Sequence, residues 1–173
     1  MLYSTKIRAL REEYIELIKY CDLNDQVSFR MYIGNIYKKT LLLSAASFFE
    51  TTIKLTIHNF IEEATHQNSE IVAFVDNKVL NRQYHQFFEW DGNNTNCFFG
   101  LFGNDLKNAA KKAINEKNLH NAELAFLAIG HERNRLVHQN YIEAQINDTF
   151  EEIWSKYEEA CNFVEFITQF LKI

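Results

Sequence analysis

The chain contains no proline and only five glycines in 173 residues, and this scarcity most constrains what it can fold into. Proline and glycine are the residues that most strongly interrupt helices. Apolar residues recur at intervals of three and four over long stretches, which is the period of an amphipathic helix. The sequence therefore predicts an all-α fold, with long helices joined by turns rich in Asn and Asp.

The periodicity predicts a bundle of about five to seven helices, with a long second helix and a long C-terminal helix. The first spans residues 4–22 and is capped by Ser4 or Thr5. The second runs from about residue 26 to 67, and its broad apolar stripe indicates burial on more than one side. Gly34 is where this helix would bend or break, because glycine destabilises a helix interior.

Further helices are expected after the cap Asn68, from about residue 104 to 117, and from Asn118 or Asn121 onward. Residues 97–103 are apolar but contain glycine, which indicates a buried loop or a short helical turn. Residues 139–147 are irregular. The final helix ends near residue 171. Asp148 and Glu151 have the spacing of a capping box at its start.

Size and charge limit the classes of function. We expect one domain, residues 1–173, since 47% of the chain is apolar and its length supports a sizeable core. The net charge is −5, whereas proteins that bind nucleic acid through a broad surface are usually basic. Any contact with RNA must therefore be local or be supplied by a partner.

Cysteine usage and hydropathy give the expected compartment. Cys21, Cys97 and Cys161 are odd in number and lack metal-ligand spacing, so we expect reduced thiols, no metal site and a cytoplasmic protein. No cofactor motif is present, so no cofactor is expected. No uninterrupted apolar run approaches the roughly 20 residues of a membrane span, so no membrane association is expected.

The segment 129–138, Ile-Gly-His-Glu-Arg-Asn-Arg-Leu-Val-His, carries the chemistry. A guanidinium binds phosphate through paired hydrogen bonds, and an imidazole transfers protons near neutral pH. On one helix, Arg133 and His138 would lie about 140° apart. If the two act together, either the backbone bends between them or a second copy of the chain supplies the missing partner.

Arg133-Asn134-Arg135-Leu136-Val137-His138 resembles the Arg-Asn-x-x-x-His signature of the HEPN superfamily, and the chain is most similar in character to its RiboL-PSP/MAE-type members. The resemblance extends from about residue 35 to the end. It implies an all-α domain and a metal-independent endoribonuclease that acts as a homodimer with a composite Arg/His site. It also implies a toxin of a toxin–antitoxin pair or an antiphage-defence effector.

The resemblance assigns catalytic roles to three residues. His138 would move the proton at the ribose 2′-hydroxyl or the leaving 5′-oxygen, Arg133 would stabilise the phosphate charge, and Asn134 would orient the histidine or the phosphate. The products would be 2′,3′-cyclic phosphate (or 3′-phosphate) and 5′-hydroxyl ends of RNA. Glu50 is a possible supporting residue, as the family's second polar position.

Other interpretations of the same residues remain open. Arg135 and His131 are possible supporting residues that touch the RNA backbone, or they are ordinary surface residues. Both arginines are also close enough to Glu132 for surface ion pairs, and His138 is placed to stabilise a helix end. Arg82 and His85 lie among aromatic residues that would stack on bases or form core.

The alternative function is a catalytically silent HEPN-type module. Such a module would dimerise and pair with a nucleotidyltransferase-like antitoxin or an ATPase. The intact Arg133, Asn134 and His138 favour the enzyme, whereas the acidic balance of the chain favours the binding module. The segment 132–138 and part of the last helix are expected to form the dimer interface.

Overall fold

The structure is a computed structural model that describes residues 3–139, 141 and 143–172. Its helices are α1 (Thr5–Leu23), α2 (Val27–Ala64), α3 (Ser69–Val75), α4 (Asn81–Gln83), α5 (Asn96–Gly100), α6 (Asn104–Glu116), α7 (His120–His138) and α8 (Phe150–Phe170). A π-helical turn (Asp76–Leu80) and a 3₁₀ turn (Tyr84–Gln86) flank α4. The predicted all-α bundle with long second and last helices is confirmed.

Most predicted boundaries lie within a few residues of the observed ones. Ser4 caps α1 and accepts from the Ile7 N–H, and Asn68 caps α3 by accepting from the Ile71 N–H. The predicted short turn in 97–103 is α5. Residues 139–147 are non-helical where they are described, and positions 140 and 142 lie outside the described residues. Gly34 does not break α2, which runs through it.

The capping box at the start of α8 was predicted one residue too early. Thr149 is the cap: its side chain accepts from the Glu152 N–H, and the Glu152 carboxylate accepts from the Thr149 N–H at 2.7 Å. Asp148 instead binds Lys156 at 2.6 Å, and Glu151 binds Arg11 at 2.9 Å. The sequence contains two overlapping capping patterns, Asp148 with Glu151 and Thr149 with Glu152. The ion pairs occupy Asp148 and Glu151, so the capping box forms from Thr149 and Glu152.

The core lies where α2, α7 and α8 meet, and α1 closes it from the side. Phe49 of α2 stacks on Tyr157 of α8 at 5.8 Å and contacts Phe126 of α7 at 5.9 Å between ring centroids. All three side chains are at most 1% exposed. This packing fixes α7 against α2 and so determines which face of α7 is turned toward a pocket.

Within the described residues one helix, α2, is long and apolar enough by length and composition to cross a membrane, and 39% of its most apolar segment is buried inside the protomer. The absence of an uninterrupted apolar run in the sequence did not predict this. Core helices of soluble proteins and signal sequences have the same length and composition, so the resemblance to a membrane span is weak. Here α2 forms the centre of the bundle and one wall of the pocket below.

Candidate active site

Arg133 lies half-buried on α7 and is held by two uncharged acceptors. Its Nη1 donates to Nδ1 of His85 at 3.2 Å and to Oδ1 of Asn134 at 3.0 Å. The nearby carboxylates are engaged elsewhere, Glu50 with Lys54 and Glu132 with Arg135, each at 2.6 Å. Among the described residues Arg133 therefore has no ion pair, and its charge is oriented but not neutralised.

His85 reaches Arg133 from the 3₁₀ turn after α4. Because Arg133 donates to Nδ1, the neutral ring carries its proton on Nε2. Burial and then the Arg133 charge lower the pKa of His85; the Glu50 charge opposes them, and Lys54 and His138 add smaller lowering effects. The imidazole is therefore neutral at physiological pH, which is the state that the hydrogen bond to Arg133 requires.

A tryptophan connects His85 to α7. Trp90 Nε1 donates to the backbone oxygen of His85 at 2.9 Å, and its ring rests on Gly130. A Cβ on Gly130 would lie 2.0 Å from Trp90 Cε3 and Cζ3, far inside van der Waals contact. The absence of a side chain at Gly130 therefore lets Trp90 lie on the helix and support the turn that presents His85.

These groups surround a narrow recess, the Arg133 pocket, with room for about one water molecule. It is lined by Ala46, Phe49, Glu50, Tyr84, His85, Trp90, Phe126, Ile129, Gly130, Arg133 and Asn134. Tyr84 is buried in its wall, and burial, with the Glu50 charge, raises the pKa of its hydroxyl despite Arg133. Tyr84 is therefore a neutral phenol, unable to supply negative charge to Arg133.

His138 is exposed in the last turn of α7. The helix is continuous from Arg133 to His138, so the backbone does not bend to bring the two side chains together. Among the described residues His138 has no hydrogen-bond partner. It nevertheless lies close enough to the pocket for its charge to lower the pKa of His85.

The other flanking residues lie outside the Arg133 pocket. Arg135 binds Glu132 through Nε and Nη2 at 3.0 and 2.6 Å, and Nη2 also donates to the backbone oxygen of Gln145 at 2.6 Å. The hydrogen bond to Glu132 raises the pKa of Arg135. His131 donates to Asp91 at 2.6 Å. These contacts fasten α7 to its neighbouring loops.

Glu50 contributes both to the pocket wall and to an ion pair on its own helix. It lines the Arg133 pocket and also binds Lys54 one turn later on α2. The Lys54 ammonium lies 5.8 Å from the centroid of the Tyr84 ring. A second cation thus lies near two residues that line the pocket, Glu50 and Tyr84.

Comparison with protein families identifies the fold's relatives. The family model RiboL-PSP-HEPN matches residues 8–172. The chain belongs to the RiboL-PSP-HEPN family. No curated protein and no solved structure matches it significantly. HEPN domains belong to a superfamily of nucleases and RNA-binding proteins. The Arg133 pocket is therefore the candidate phosphate-binding site of this HEPN protein.

Sequence reasoning missed how His85 takes part in this HEPN pocket. It placed His85 among aromatic residues for base stacking or core, but the residue holds Arg133 from 48 positions away. Nothing in the spacing of the sequence predicts that contact. The partner of Arg135 was predictable, because Glu132 and Arg135 are three apart on a helix and face each other, whereas Glu132 and Arg133 do not.

No group of three or more potential metal ligands occurs within the described residues of this HEPN chain. His58 of α2 is half-buried and binds Asp76 of the π-helical turn at 3.0 Å, which raises the pKa of His58. His58 therefore joins α2 to that turn and does not line the Arg133 pocket.

Proposed function

We propose that this HEPN protein is a metal-independent endoribonuclease that acts as a homodimer. One observation carries the proposal: the Arg133 guanidinium is fixed at a pocket by two uncharged acceptors, and no carboxylate of the described residues forms an ion pair with it. A phosphodiester is the anion that such a group fits best. The charge is held in place beforehand, which is how enzymes stabilise charge that develops on a phosphate.

The chemistry proposed is attack of the ribose 2′-hydroxyl on its own phosphorus. A bond forms between O2′ and phosphorus, and the bond from phosphorus to O5′ breaks. One imidazole accepts the 2′-proton and a second, protonated imidazole donates to the departing O5′. The products are a 2′,3′-cyclic phosphate and a 5′-hydroxyl. DNA lacks the attacking hydroxyl, so the substrate is RNA.

The two imidazoles are the His138 side chains of two protomers. Since α7 is continuous, Arg133 and His138 of one chain diverge by about 140° around the helix. The exposed His138, with no partner among the described residues, is suited to a shared cleft. Asn134 accepts from Arg133 and so orients the arginine.

For biological setting, we propose a cytoplasmic toxin of a toxin–antitoxin pair or an antiphage-defence effector. The HEPN assignment and the intact Arg133, Asn134 and His138 support this role. The net charge of −5 gives the protein little general attraction to RNA. Selectivity would then come from the cleft or from a partner protein.

The test is RNA cleavage in the presence of EDTA by purified wild type, Arg133→Ala and His138→Ala, with the ends of any product analysed. His120→Ala, at the opposite end of α7, is the matched control. We expect cleavage to cyclic phosphate ends by wild type and His120→Ala, and its loss in the other two variants with helicity retained. Cleavage that EDTA abolishes, or that His138→Ala retains, contradicts the mechanism.

A second candidate is a catalytically silent module that pairs with a nucleotidyltransferase-like antitoxin or an ATPase. The acidic net charge favours it, because an acidic protein needs a partner to approach RNA. Wild type that leaves tRNA, rRNA and mRNA pools intact, yet binds such a partner stoichiometrically, would support this candidate over the enzyme.

A further inference from the structure

The hairpin formed by the end of α1 and the start of α2 leaves an unusual amount of apolar surface uncovered. On α2, Phe29 is 51% exposed, Tyr32 62% and Ile36 39%. Further exposed apolar or aromatic side chains around the hairpin are Ile15, Tyr20, Leu23, Val27 and Met31. Large exposed apolar side chains that share one helix face are typical of an interaction surface.

The α2 side of this hairpin carries almost no charge, whereas the α1 side carries the exposed residues Glu16, Lys19 and Asp22. Residues 27–37 include a single charged side chain, Arg30, and its guanidinium is bound to Asp22 at 2.8 Å. A helix that is apolar on all sides is normally buried. The cover must therefore be apolar and uncharged as well, and another copy of the same surface meets that requirement.

Part of this surface leads to the Arg133 pocket. Phe29, Tyr32, Ile36 and Leu43, here called the α2 stripe, are followed on the same line by Glu50. Their spacings of three, four, seven and seven place all five within about 60° of one another around the helix. Glu50 lines the Arg133 pocket, and seven residues separate it from Leu43, about 10 Å along the axis.

The far edge of the stripe continues toward His138. Lys39, which lies about 60° from Ile36 around α2, donates to the backbone oxygen of Tyr141, so this part of the loop after α7 lies beside the stripe. Tyr141 is 41% exposed and Val137, adjacent to His138 in sequence, is 55% exposed. An occupant of the stripe would thus also meet Tyr141, three residues after His138.

We propose that a second copy of this chain packs on the α2 stripe in a parallel, in-register pair, with Ile36 facing Ile36 of the partner subunit. Repeats of seven residues are what a parallel helix pair needs to keep one seam. In that arrangement both Arg133 pockets and both His138 side chains lie at the same level beside the seam. The proposal rests on the proposed function, because it assigns the surface that assembles the composite cleft.

The last helix offers no comparable surface. The large apolar side chains of α8 face the protomer's own core, and none of the exposed large apolar residues in the described chain belongs to it. The sequence-based expectation placed part of the interface there. The α2 stripe is the better candidate because Phe29, Tyr32 and Ile36 are exposed and their line along the helix leads to the pocket.

The test compares the oligomeric state of Tyr32→Glu/Ile36→Glu with that of wild type by sedimentation equilibrium at micromolar concentration. Leu55→Glu is the matched control, since Leu55 is 57% exposed on the same helix but roughly 100° away from the stripe. Helicity and Tm confirm folding. We expect a dimer for wild type and Leu55→Glu, and dimerisation weakened by about 30-fold or more in the double variant.

Cross-linking tests the register without introducing charge. In a Cys97→Ser background, Ile36→Cys and Phe29→Cys should each cross-link to themselves with a short bis-maleimide, because a parallel pair places identical positions together. Leu55→Cys should not. Self-linking at position 36 but not 29 indicates an antiparallel pair and overturns the shared cleft.

The outcomes separate this proposal from the ribonuclease proposal. If the stripe variant abolishes the dimer and wild type cleaves no RNA, the α2 stripe is supported as the dimer interface and the ribonuclease proposal is rejected. If wild type is active and the stripe variant still dimerises, the α2 stripe is rejected as the interface and the ribonuclease proposal stands. A monomeric wild type overturns the proposal. Binding of that monomer to phosphatidylglycerol vesicles or to a different protein would then show that a membrane or another protein covers the apolar surface of α2.

Discussion

Two faces of α7 each present an arginine, two residues apart, and the surroundings of these arginines differ. Arg135 meets the Glu132 carboxylate and a backbone oxygen, so its charge is neutralised where it lies. Arg133 meets an imidazole nitrogen and an amide oxygen, which fix its direction and leave its charge available. Paired charge fastens the helix to a loop, whereas unpaired charge suits an incoming anion. Substitutions on the two faces should therefore affect different properties.

The largest effect is expected from Arg133→Ala. Removing one group that stabilises developing charge typically costs about 10²–10³ in kcat. Since Arg133 forms no ion pair within the described chain, the Tm should stay close to that of wild type. Cleavage rates on a fluorescent RNA and thermal melts measure both. A large drop in Tm with little loss of cleavage would assign Arg133 to the same structural role as Arg135.

Gly130→Ala should disturb the Arg133 face through packing. The new methyl would overlap the Trp90 ring, and overpacking costs about 1–3 kcal/mol, part of which is offset by the better helix propensity of alanine. We expect a net loss of about 1–2 kcal/mol with reduced cleavage, measured by urea unfolding and by assay.

Gly34→Ala is the control for this substitution. It places the same methyl group in a helix where nothing lies within 4 Å, so it should be neutral or stabilising by up to about 1 kcal/mol. If Gly130→Ala and Gly34→Ala change stability equally, the overlap with Trp90 is not the cause of the loss in Gly130→Ala.

His85→Ala should lower kcat about tenfold, the value of one good hydrogen bond that orients Arg133. His85→Asn keeps an acceptor for the guanidinium and should recover part of the activity. Because His85 acts through Arg133, its removal in an Arg133→Ala background should cost little more. Additive losses in the double variant would instead indicate direct contact of His85 with RNA.

Arg135→Ala should lower stability by about 1 kcal/mol. Charge-assisted hydrogen bonds contribute more when buried, but both side chains of this pair are about a quarter exposed, which screens the interaction. The specific activity of the folded protein should remain near wild type. A loss of cleavage comparable to that of Arg133→Ala would abolish the distinction between the two faces of α7.

The smallest expected effect is that of mild acid. The pKa of His85 is lowered on folding, so below the unfolded value of about 6.5 the unfolded chain binds more protons and the folded state loses stability as pH falls. Protonation at Nδ1 also ends the hydrogen bond with Arg133. The acid limb of kcat should therefore shift in His85→Asn, while Arg135→Ala should leave it unchanged.

Sequence periodicity predicted the fold well because the long helices bury regular apolar faces, as α8 does from Phe150 to Ile167. It failed by one residue at Thr149, where two capping patterns overlap and only tertiary ion pairs decide between them. In the site, Arg133 and Glu50 were named from the family signature. The hydrogen bond from Arg133 to Nδ1 of His85 could not be predicted from the sequence, because it depends on the fold. The contact of Trp90 with Gly130 brings the 3₁₀ turn that carries His85 to α7.

The contact between Gly130 and Trp90 also links the changes that the two positions can accept. A side chain at position 130 lowers stability while position 90 keeps its large ring. A smaller residue at position 90 removes that overlap, but it also removes the hydrogen bond to the backbone oxygen of His85. In a library built around the site, the effect of a substitution at either position would therefore depend on the residue at the other.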